Sequence, residues 1–341
     1  MKSLCIKVAK NKGEQTRKKL HSLKVLDTKL KIHSDAQYLY LPIQRQLELH
    51  SDATLNQLDN ITLTTHDFIE LKKQKTLIDL LGFAPNYEII GDIAVMPVDL
   101  ENAERQFLAK IAETILKVHK NIKVVLQKKN PVSGEFRIRE FKVLAGENRT
   151  YTIHKEHGCR YALDLAKVYF NPRLSTERMR IAQQINNKDT VVDMFAGVGP
   201  FSILIAKKKN AKVIAIDKNP IAIKYLKENI NLNHINMTKI KVLEGDAKEI
   251  AHKYKGVANH VIMNLPHKAN VFLKEAMLLL APHGVIHYYD MRPDTDLFEG
   301  AIKIIQKVAC KVHCTINILN KRIVRTYAPH VYNICIEFNR Y

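Results

Sequence analysis

Two aspartates bracket the stretch of this 341-residue chain whose residue types and spacing can do chemistry. It runs T-V-V-D-M-F-A-G-V-G-P-F-S-I-L-I-A-K-K-K-N-A-K-V-I-A-I-D, from Thr190 to Asp217. Apolar Val191 and Val192 lead into Asp193, and a loop with Gly197 and Gly199 follows. A helical run, Pro200 to Lys208, comes next, and the apolar run Val213 to Ile216 ends in Asp217. Strand, glycine turn, helix, strand, acid is the order of the first βαβ unit of a doubly wound sheet. The glycines let backbone approach a nucleoside-bearing ligand, and an acid ending the second strand can take both ribose hydroxyls. A dinucleotide fingerprint puts a third glycine three residues after the second. Ser202 stands there instead, and Asp193 is foreign to that fingerprint, which argues against a nicotinamide cofactor.

Ligands of open α/β sheets bind beyond the carboxyl ends of the strands. Besides the Asp193–Gly199 loop, two further strand ends carry polar turns, Glu244-Gly245-Asp246 and Asn264-Leu265-Pro266. Asp246 can accept a hydrogen bond from an adenine amino group, although alone it serves equally well as a helix N-cap. Two constellations precede this region. In V-Y-F-N-P-R-L-S-T-E-R-M-R, residues 168–180, Pro172 fixes a turn and Thr176-Glu177-Arg178 opens a helix. Capping and phosphate contact are the plain reading there, above all for Arg178 and Arg180. In G-E-F-R-I-R-E, residues 134–140, a strand puts Arg137 and Arg139 on one face, suited to a phosphate or a developing oxyanion. A solvated strand face is the alternative.

The elements that must position these groups follow from periodicity. Near the start, Cys5–Val8 and Tyr38–Pro42 read as strands flanking a basic helix, Lys10–Ser22. The polar, glycine-free residues 51–66 read as a linker. A helix over Phe68–Leu81 is expected next. Residues 89–96 (I-I-G-D-I-A-V-M) read as a buried strand bent at Gly91. An amphipathic helix is expected over Glu101–His119, and strands over Val124–Gln127 and Phe136–Val143. From about 174 the pattern becomes regular βα alternation. Helices are expected over 176–187, 270–280 and 294–308, with another capped by Asn219-Pro220. Strands are expected over 240–243, 259–263 and 283–288, and 311–319 and 331–338 close the chain as an antiparallel pair. The predicted division is a small N-terminal domain (1–52), a linker (53–66), an α+β domain (67–173) and an α/β domain (174–341).

Charge narrows the partners. The chain has 54 Lys and Arg against 34 Asp and Glu, a net +20, and residues 1–50 hold 11 against 4, or +7. Such an excess fits a polyanion, because each cation that neutralises a phosphate releases counterions. No apolar run is long enough to span a bilayer. The start, M-K-S-L-C-I-K-V-A-K, lacks the apolar core of a secretory signal. Five scattered cysteines (Cys5, Cys159, Cys310, Cys314 and Cys335) argue against a disulfide framework and for an intracellular, cytoplasmic chain. Cys310 and Cys314 have no second half-site, so buried thiols are expected and no metal.

D-x-F-A-G-x-G-P-F resembles motif I of class I methyltransferases, and Asp217 resembles their ribose-binding acid. S-adenosylmethionine is therefore the expected cofactor. Methyltransferases of exocyclic amines typically carry N-P-P-Y or D-P-P-Y; Leu265 and His267 depart from this, leaving a ring nitrogen or carbon as the target. Taken in order, I-I-G-D-I-A-V, G-E-F-R-I-R-E, T-I-H-K-E-H-G, V-Y-F-N-P-R-L-S-T-E-R, D-M-F-A-G-V-G-P-F, N-L-P and P-H-V-Y resemble the archaeal and eukaryotic tRNA (guanine-37-N1)-methyltransferase family, the Trm5 family. The resemblance covers essentially the whole chain, and the intact G-V-G-P and N-L-P look like its 1-methylguanosine-forming branch. Asn171, where many members have Ser, is a small departure.

The resemblance implies a class I (Rossmann-like) methyltransferase domain with a mostly parallel seven-stranded sheet, preceded by two smaller α/β (α+β) domains. It implies methyl transfer from S-adenosylmethionine to N1 of guanosine 37 of tRNA, by a monomer that contacts the anticodon loop and the tRNA body and no membrane. Glu177 matches the general base, and burial beside the target should raise its carboxyl pKa. Arg137, with Arg139 second, would stabilise negative charge on O6. Asn264 would orient the guanine edge and also touch cofactor, while Tyr169 and Pro266 pack the flipped base. Arg139, Arg173 and Arg178 would bind RNA. Asp193, Phe195, Ala196, Gly197, Gly199, Asp217 and Asp246 would form the cofactor site. The rivals are a methyltransferase for ribosomal RNA, a small molecule or a wyosine precursor, and a non-catalytic RNA-binding protein. N-P-R-L-S-T-E-R argues against ribosomal RNA and a small molecule, a wyosine precursor stays open, and the intact glycine loop with Asp217 argues against the last.

Overall fold

In the first strand of the chain, L-C-I-K-V-A, apolar residues Cys5, Ile6 and Val8 are buried while Lys7 among them is only partly so. The computed structural model describes residues 1–44, 60–71, 75–98, 104–131 and 134–340, and they divide into two compact units, Met1–Thr76 and Leu77–Tyr341. The first unit holds β1 (Lys2–Ala9), α1 (Lys10–Ser22), β2 (His33–Ser34), β3 (Tyr38–Pro42) and β4 (Ile61–Asp67). These strands form one sheet in the order β2-β3-β1-β4, and Ile6, Val8, Leu20 and Leu41 make its core under α1.

Residues 61–67 are thus not linker. I-T-L-T-T-H-D alternates, and β4 pairs antiparallel with β1 from Val8–Ile61 to Lys2–Asp67. The unit ends beyond residue 52, and residues 53–59 of the expected linker lie outside the described residues. The expected helix over 68–81 is only α2 (Leu77–Leu81), because Phe68 is buried as the end of the first unit; 72–74 are outside the description.

The second unit begins with a four-stranded sheet, β5 (Glu88–Ile90), β6 (Ile93–Met96), β7 (Val124–Lys128) and β8 (Phe141–Gly146). Residues 89–96 are a tight hairpin, not one bent strand, with Ile90 opposite Ile93. Helix α3 (Arg105–Val118) buries Leu108, Ile111, Ala112 and Ile115 against this sheet, the spacing of one helical face. A second hairpin, β9 (Tyr151–Glu156) and β10 (Cys159–Asp164), had no strand signal beyond its turn residues His157-Gly158.

The remainder is α4 (Ser175–Gln184), β11 (Thr190–Asp193), α5 (Pro200–Lys208), β12 (Lys212–Asp217), α6 (Pro220–Leu232), β13 (Ile240–Glu244), α7 (Ala247–Ala251), β14 (Ala258–Met263), α8 (Leu273–Leu279), β15 (Leu280–Pro293), α9 (Glu299–Lys311), β16 (Ile316–Ala328) and β17 (Val331–Arg340). The sheet order is β13-β12-β11-β14-β15-β17-β16, parallel except for the pairs that β17 makes. β16 starts at Ile316, not 311, because Ala301, Ile305 and Ala309 keep one buried helical face as far as Lys311. Cys310 is consequently exposed on α9, against expectation, while Cys5, Cys159 and Cys335 are buried.

No packing boundary falls at 173/174. Ile93, Val124 and Leu126 share one apolar cluster with Tyr161, Leu163, Phe201 and Leu226. Two asparagines of α6, one turn apart, complete the join. Asn229 accepts from Ala162 N (2.7 Å) and donates to the Ala162 and Val198 carbonyls, and Asn233 accepts from Arg160 N (2.8 Å). Both act as strand partners for β10, since a buried backbone edge must find hydrogen bonds somewhere. Among the described residues no helix is long and apolar enough to cross a membrane.

Candidate active site

The glycine loop leaves β11 at its carboxyl end and enters α5 at Pro200. Gly199 N-caps α5 with φ +88°, and a Cβ there would lie 2.3 Å from Leu226 Cδ1, so only glycine fits. Gly197 also has positive φ, +56°, but a Cβ there would meet only Tyr169 O at 3.9 Å. Its backbone is open where a ligand would sit. Asp217 clamps the loop from the next strand: its carboxylate accepts Gly197 N–H at 2.6 Å and Asn219 N–H at 2.8 Å. Burial raises its pKa despite these bonds.

Asp193 sits behind the loop. It is 1% exposed, accepts Ser202 Oγ–H at 2.8 Å, and leaves Oδ1 without a partner. Burial pushes its carboxyl up to about 7, with the Ser202 bond opposing and the Asp217 charge adding. Ser202, in the place of a third glycine, is what ties the aspartate to α5. Asp246 N-caps α7 through Lys248 N (2.9 Å), and its other oxygen lies 3.5 Å from Lys218 Nζ. Both readings of this residue are therefore compatible, one for each oxygen.

Phe195, Ala196, Gly197, Asp217 and Asp246 line a cleft of about 600 Å³ together with Arg137, Tyr169, Asn264 and Pro266. Asp193 and Gly199 support this wall without forming it. In the same cleft the Arg137 guanidinium lies 4.8 Å over the Tyr169 ring, a cation–π pair. His267 packs edge-on against Tyr327 with centroids 5.5 Å apart; burial, then the Arg137 charge, lowers its pKa. Lys218 reaches across to Glu135 at 2.7 Å.

The expected strand through 134–140 is not there. Gly134 to Arg137 form a turn, Arg137 has φ +54°, and regular pairing starts at Phe141. The two arginines are therefore not neighbours on one strand face. Arg137 lines the cleft, and the half-buried Arg139 does not. Arg173 also lies outside the lining, half exposed and paired with Glu88 at 2.5 Å. Arg178 is 1% exposed, with Nε and NH2 spent on Glu156 (2.7 and 2.5 Å) and NH1 on Asn171 O (3.1 Å). It belongs to the cleft lining, but three of its five N–H donors are already spent within the protein. Removing either charge of such a buried pair costs about 3–5 kcal/mol, so its role is to hold the β9–β10 hairpin on α4.

Glu177 precedes Arg178 by one residue, about 100° around the helix, and so faces elsewhere. It is 3% exposed and does not line the cleft. Arg180 clamps it in a fork (2.9 and 2.6 Å), Tyr289 O–H donates to it at 2.8 Å, and Arg322 Nε is 3.9 Å away. Arg180 continues to Glu337 at 2.6 Å, which also faces His287 at 3.0 Å. Burial alone would raise the Glu337 carboxyl; the bonds from His287, Arg180 and Gln184 hold it well below the usual carboxylate range. Sequence reasoning missed this network. Its one signal was a pair of polar residues, Asn333 and Glu337, on one face of the otherwise apolar V-Y-N-I-C-I-E-F.

A seven-stranded sheet with a glycine loop, a ribose-poised acid and a deep cleft at the carboxyl ends of its parallel strands defines a class I methyltransferase. The open Gly197 backbone and the Asp217 carboxylate, both in the cleft lining, fit S-adenosylmethionine. A family model described as the TRM5/TYW2 methyltransferase domain matches residues 152–317; the tRNA methyltransferase 5 N-terminal domain matches 5–49 and the TYW2 N-terminal domain 73–150. The tRNA (guanine(37)-N(1))-methyltransferase Trm5b of Pyrococcus abyssi is 40% identical over 339 residues, 98% of each chain. A solved complex of aTrm5 and tRNALeu is 39% identical, with TM-score 0.70 over 98% of this chain and 99% of that one. Methanocaldococcus jannaschii Trm5 in complex with adenosine is 38% identical, with TM-score 0.64 over 98% of both chains. The chain belongs to the Trm5 family of tRNA (guanine(37)-N(1))-methyltransferases.

Proposed function

We propose that this protein methylates N1 of guanosine 37 in tRNA. One observation carries the reading: a single cleft joins the glycine loop, Asp217 and Asp246 to the Asn264-Leu265-Pro266 turn and the Arg137–Tyr169 pair. S-adenosylmethionine, when bound, supplies a methyl group on a positively charged sulfur. The protein's own tasks are to hold the guanine beside it, remove the N1 proton and absorb the charge that develops on O6.

Tyr169 and Pro266 offer the flat surfaces for a base taken out of the anticodon loop. Asn264, whose side chain bonds no other described residue, is free to orient the guanine edge. Arg137 supplies a cation in the same cleft, and its rest over Tyr169 keeps it there before charge appears. Glu177 is the proposed base, supported by its place in the N-P-R-L-S-T-E-R motif. Its carboxylate does not line the cleft and is clamped by Arg180, so it takes the proton either after releasing Arg180 or through one bridging water. Arg139 and Arg173 are assigned to the RNA backbone and Arg178 to structure.

The first unit is assigned to the tRNA body, on the strength of its charge. The protein is expected to act as a monomer in the cytoplasm, the latter in keeping with its unpaired cysteines. Incubation with S-adenosylmethionine and unmodified transcripts carrying G or A at position 37, followed by nucleoside mass spectrometry, should give 1-methylguanosine from the G37 transcript alone. Formation of 2-methylguanosine, or no methylated guanosine, refutes the reading.

A further inference from the structure

Asn333 is a polar residue in a place where the strand is otherwise apolar. β17 runs V-Y-N-I-C-I-E-F, with every residue from Asn333 to Phe338 buried. Asn333 is 2% exposed, lines the cleft, and its Oδ1 has no hydrogen-bond partner. A buried amide left unpaired costs free energy that a leucine there would not, so the fold gains nothing from it.

Its register ties it to the Glu177 network. Asn333 pairs with Met291 and Arg325, and two residues along the same face Cys335 pairs with Tyr289, whose hydroxyl binds Glu177. Asn333 therefore lines the cleft on the strand face that, two residues on, meets the Tyr289–Glu177 pair. Rotation about the last torsion of an asparagine is soft and roughly two-fold, so the amide can turn its oxygen toward a ligand at little cost.

The guanine edge presents O6, N1–H and the 2-amino group. Arg137 answers O6, Glu177 answers N1–H and Asn264 steadies the same edge in the proposed function. The 2-amino group is a donor that still needs a buried acceptor, and of the lining asparagines only Asn333 holds a buried oxygen without a partner. We infer that Asn333 is a specificity-determining residue, its Oδ1 accepting a hydrogen bond from the 2-amino group of the target guanine. This rests on guanine N1 being the target. It separates guanosine both from adenosine, which has C–H at that position, and from inosine, which has the same N1–H and O6 but no 2-amino group.

The test is a double-mutant cycle between protein and RNA. Single-turnover methyl transfer is measured on one tRNA transcript with guanosine or inosine at position 37, using wild type, Asn333→Ala and the near-isosteric Asn333→Leu. Binding of labelled S-adenosylmethionine checks that each variant is folded. Wild type should favour guanosine by about tenfold or more, the worth of one buried hydrogen bond, and both variants should lose that preference by slowing on guanosine alone. Equal rates on both substrates in wild type, or variants that slow on both by the same factor, overturn the assignment. If wild type makes 1-methylguanosine, only the Asn333 role is lost; if it makes none, the guanine-N1 reading falls with it.

Discussion

Of the residues lining the cleft, those proposed to hold cofactor, Phe195, Ala196, Gly197 and Asp217, come from one unbroken βαβ stretch, with Asp246 added from the end of β13; those proposed to meet substrate, Arg137, Tyr169, Pro266, Tyr327 and Asn333, come from five separate segments. The carboxylates differ in the same way. Asp217 holds the Gly197 N–H of the glycine loop and the Asn219 N–H of its own turn, and Asp193 holds a hydroxyl nine residues away. Glu177 is held instead by Tyr289, 112 residues distant, besides Arg180. A motif read from contiguous residues describes a backbone shape, which local sequence dictates. A substrate surface assembled from distant segments depends on how the strands and helices pack.

If the two sets are separable, changes in one should leave the other intact. The largest effect is expected for Glu177→Gln, which should lower single-turnover transfer by about 10²–10⁴-fold with cofactor affinity nearly unchanged. A rate close to wild type would return Glu177 to a purely structural part in the Arg180–Glu337 network.

Arg137→Ala should slow transfer by about 10²–10³-fold, the usual loss for one oxyanion donor, while Arg139→Ala should mainly raise KM for tRNA. The opposite pattern would mean that Arg139 moves into the cleft when RNA binds.

Removing the first unit tests a distance between regions. The cut must fall after Thr76, because a cut at residue 52 would leave β4 without β1. KM for tRNA should rise about tenfold or more and lose part of its salt dependence, with kcat mostly kept. A collapse of kcat at saturating tRNA would contradict an affinity role.

The last change is expected in stability and leaves the methyl-transfer step aside. Asp193 has its pKa raised to about 7 in the fold, from 3.8. A raised acid binds its proton more tightly when folded, so its stabilising contribution is full below pH 4 and is lost as pH rises toward 7. Asp193→Asn removes that loss. Its thermal midpoint relative to wild type should climb between pH 4 and 7, with about 4 kcal/mol as the ceiling. A pH-independent difference would show that the aspartate stays charged in the fold.

The βα alternation was legible throughout the second half because helix and strand periods differ, and α5 falls on Pro200–Lys208 as read. Residues 61–67 and 151–164 were not legible as strands. Their polar alternation, I-T-L-T-T-H-D and T-I-H-K-E, signals no burial until a partner strand or α6 supplies one. Arg137 was wrongly set on a strand, since a positive φ at an arginine leaves no mark in composition.

By itself the sequence determined the cofactor loop. Gly199 needs a conformation and a clearance that side chains forbid, and the acid that clamps the loop follows one strand later, so short-range sterics suffice. The tertiary structure decided the substrate surface. Glu177 and Arg178 are neighbours in the chain, yet one points to Tyr289 and the other to Glu156, because a helix turns about 100° per residue. Which of them meets the cleft was set by what packs on each side of α4, and that information lies in β9, β15 and β17.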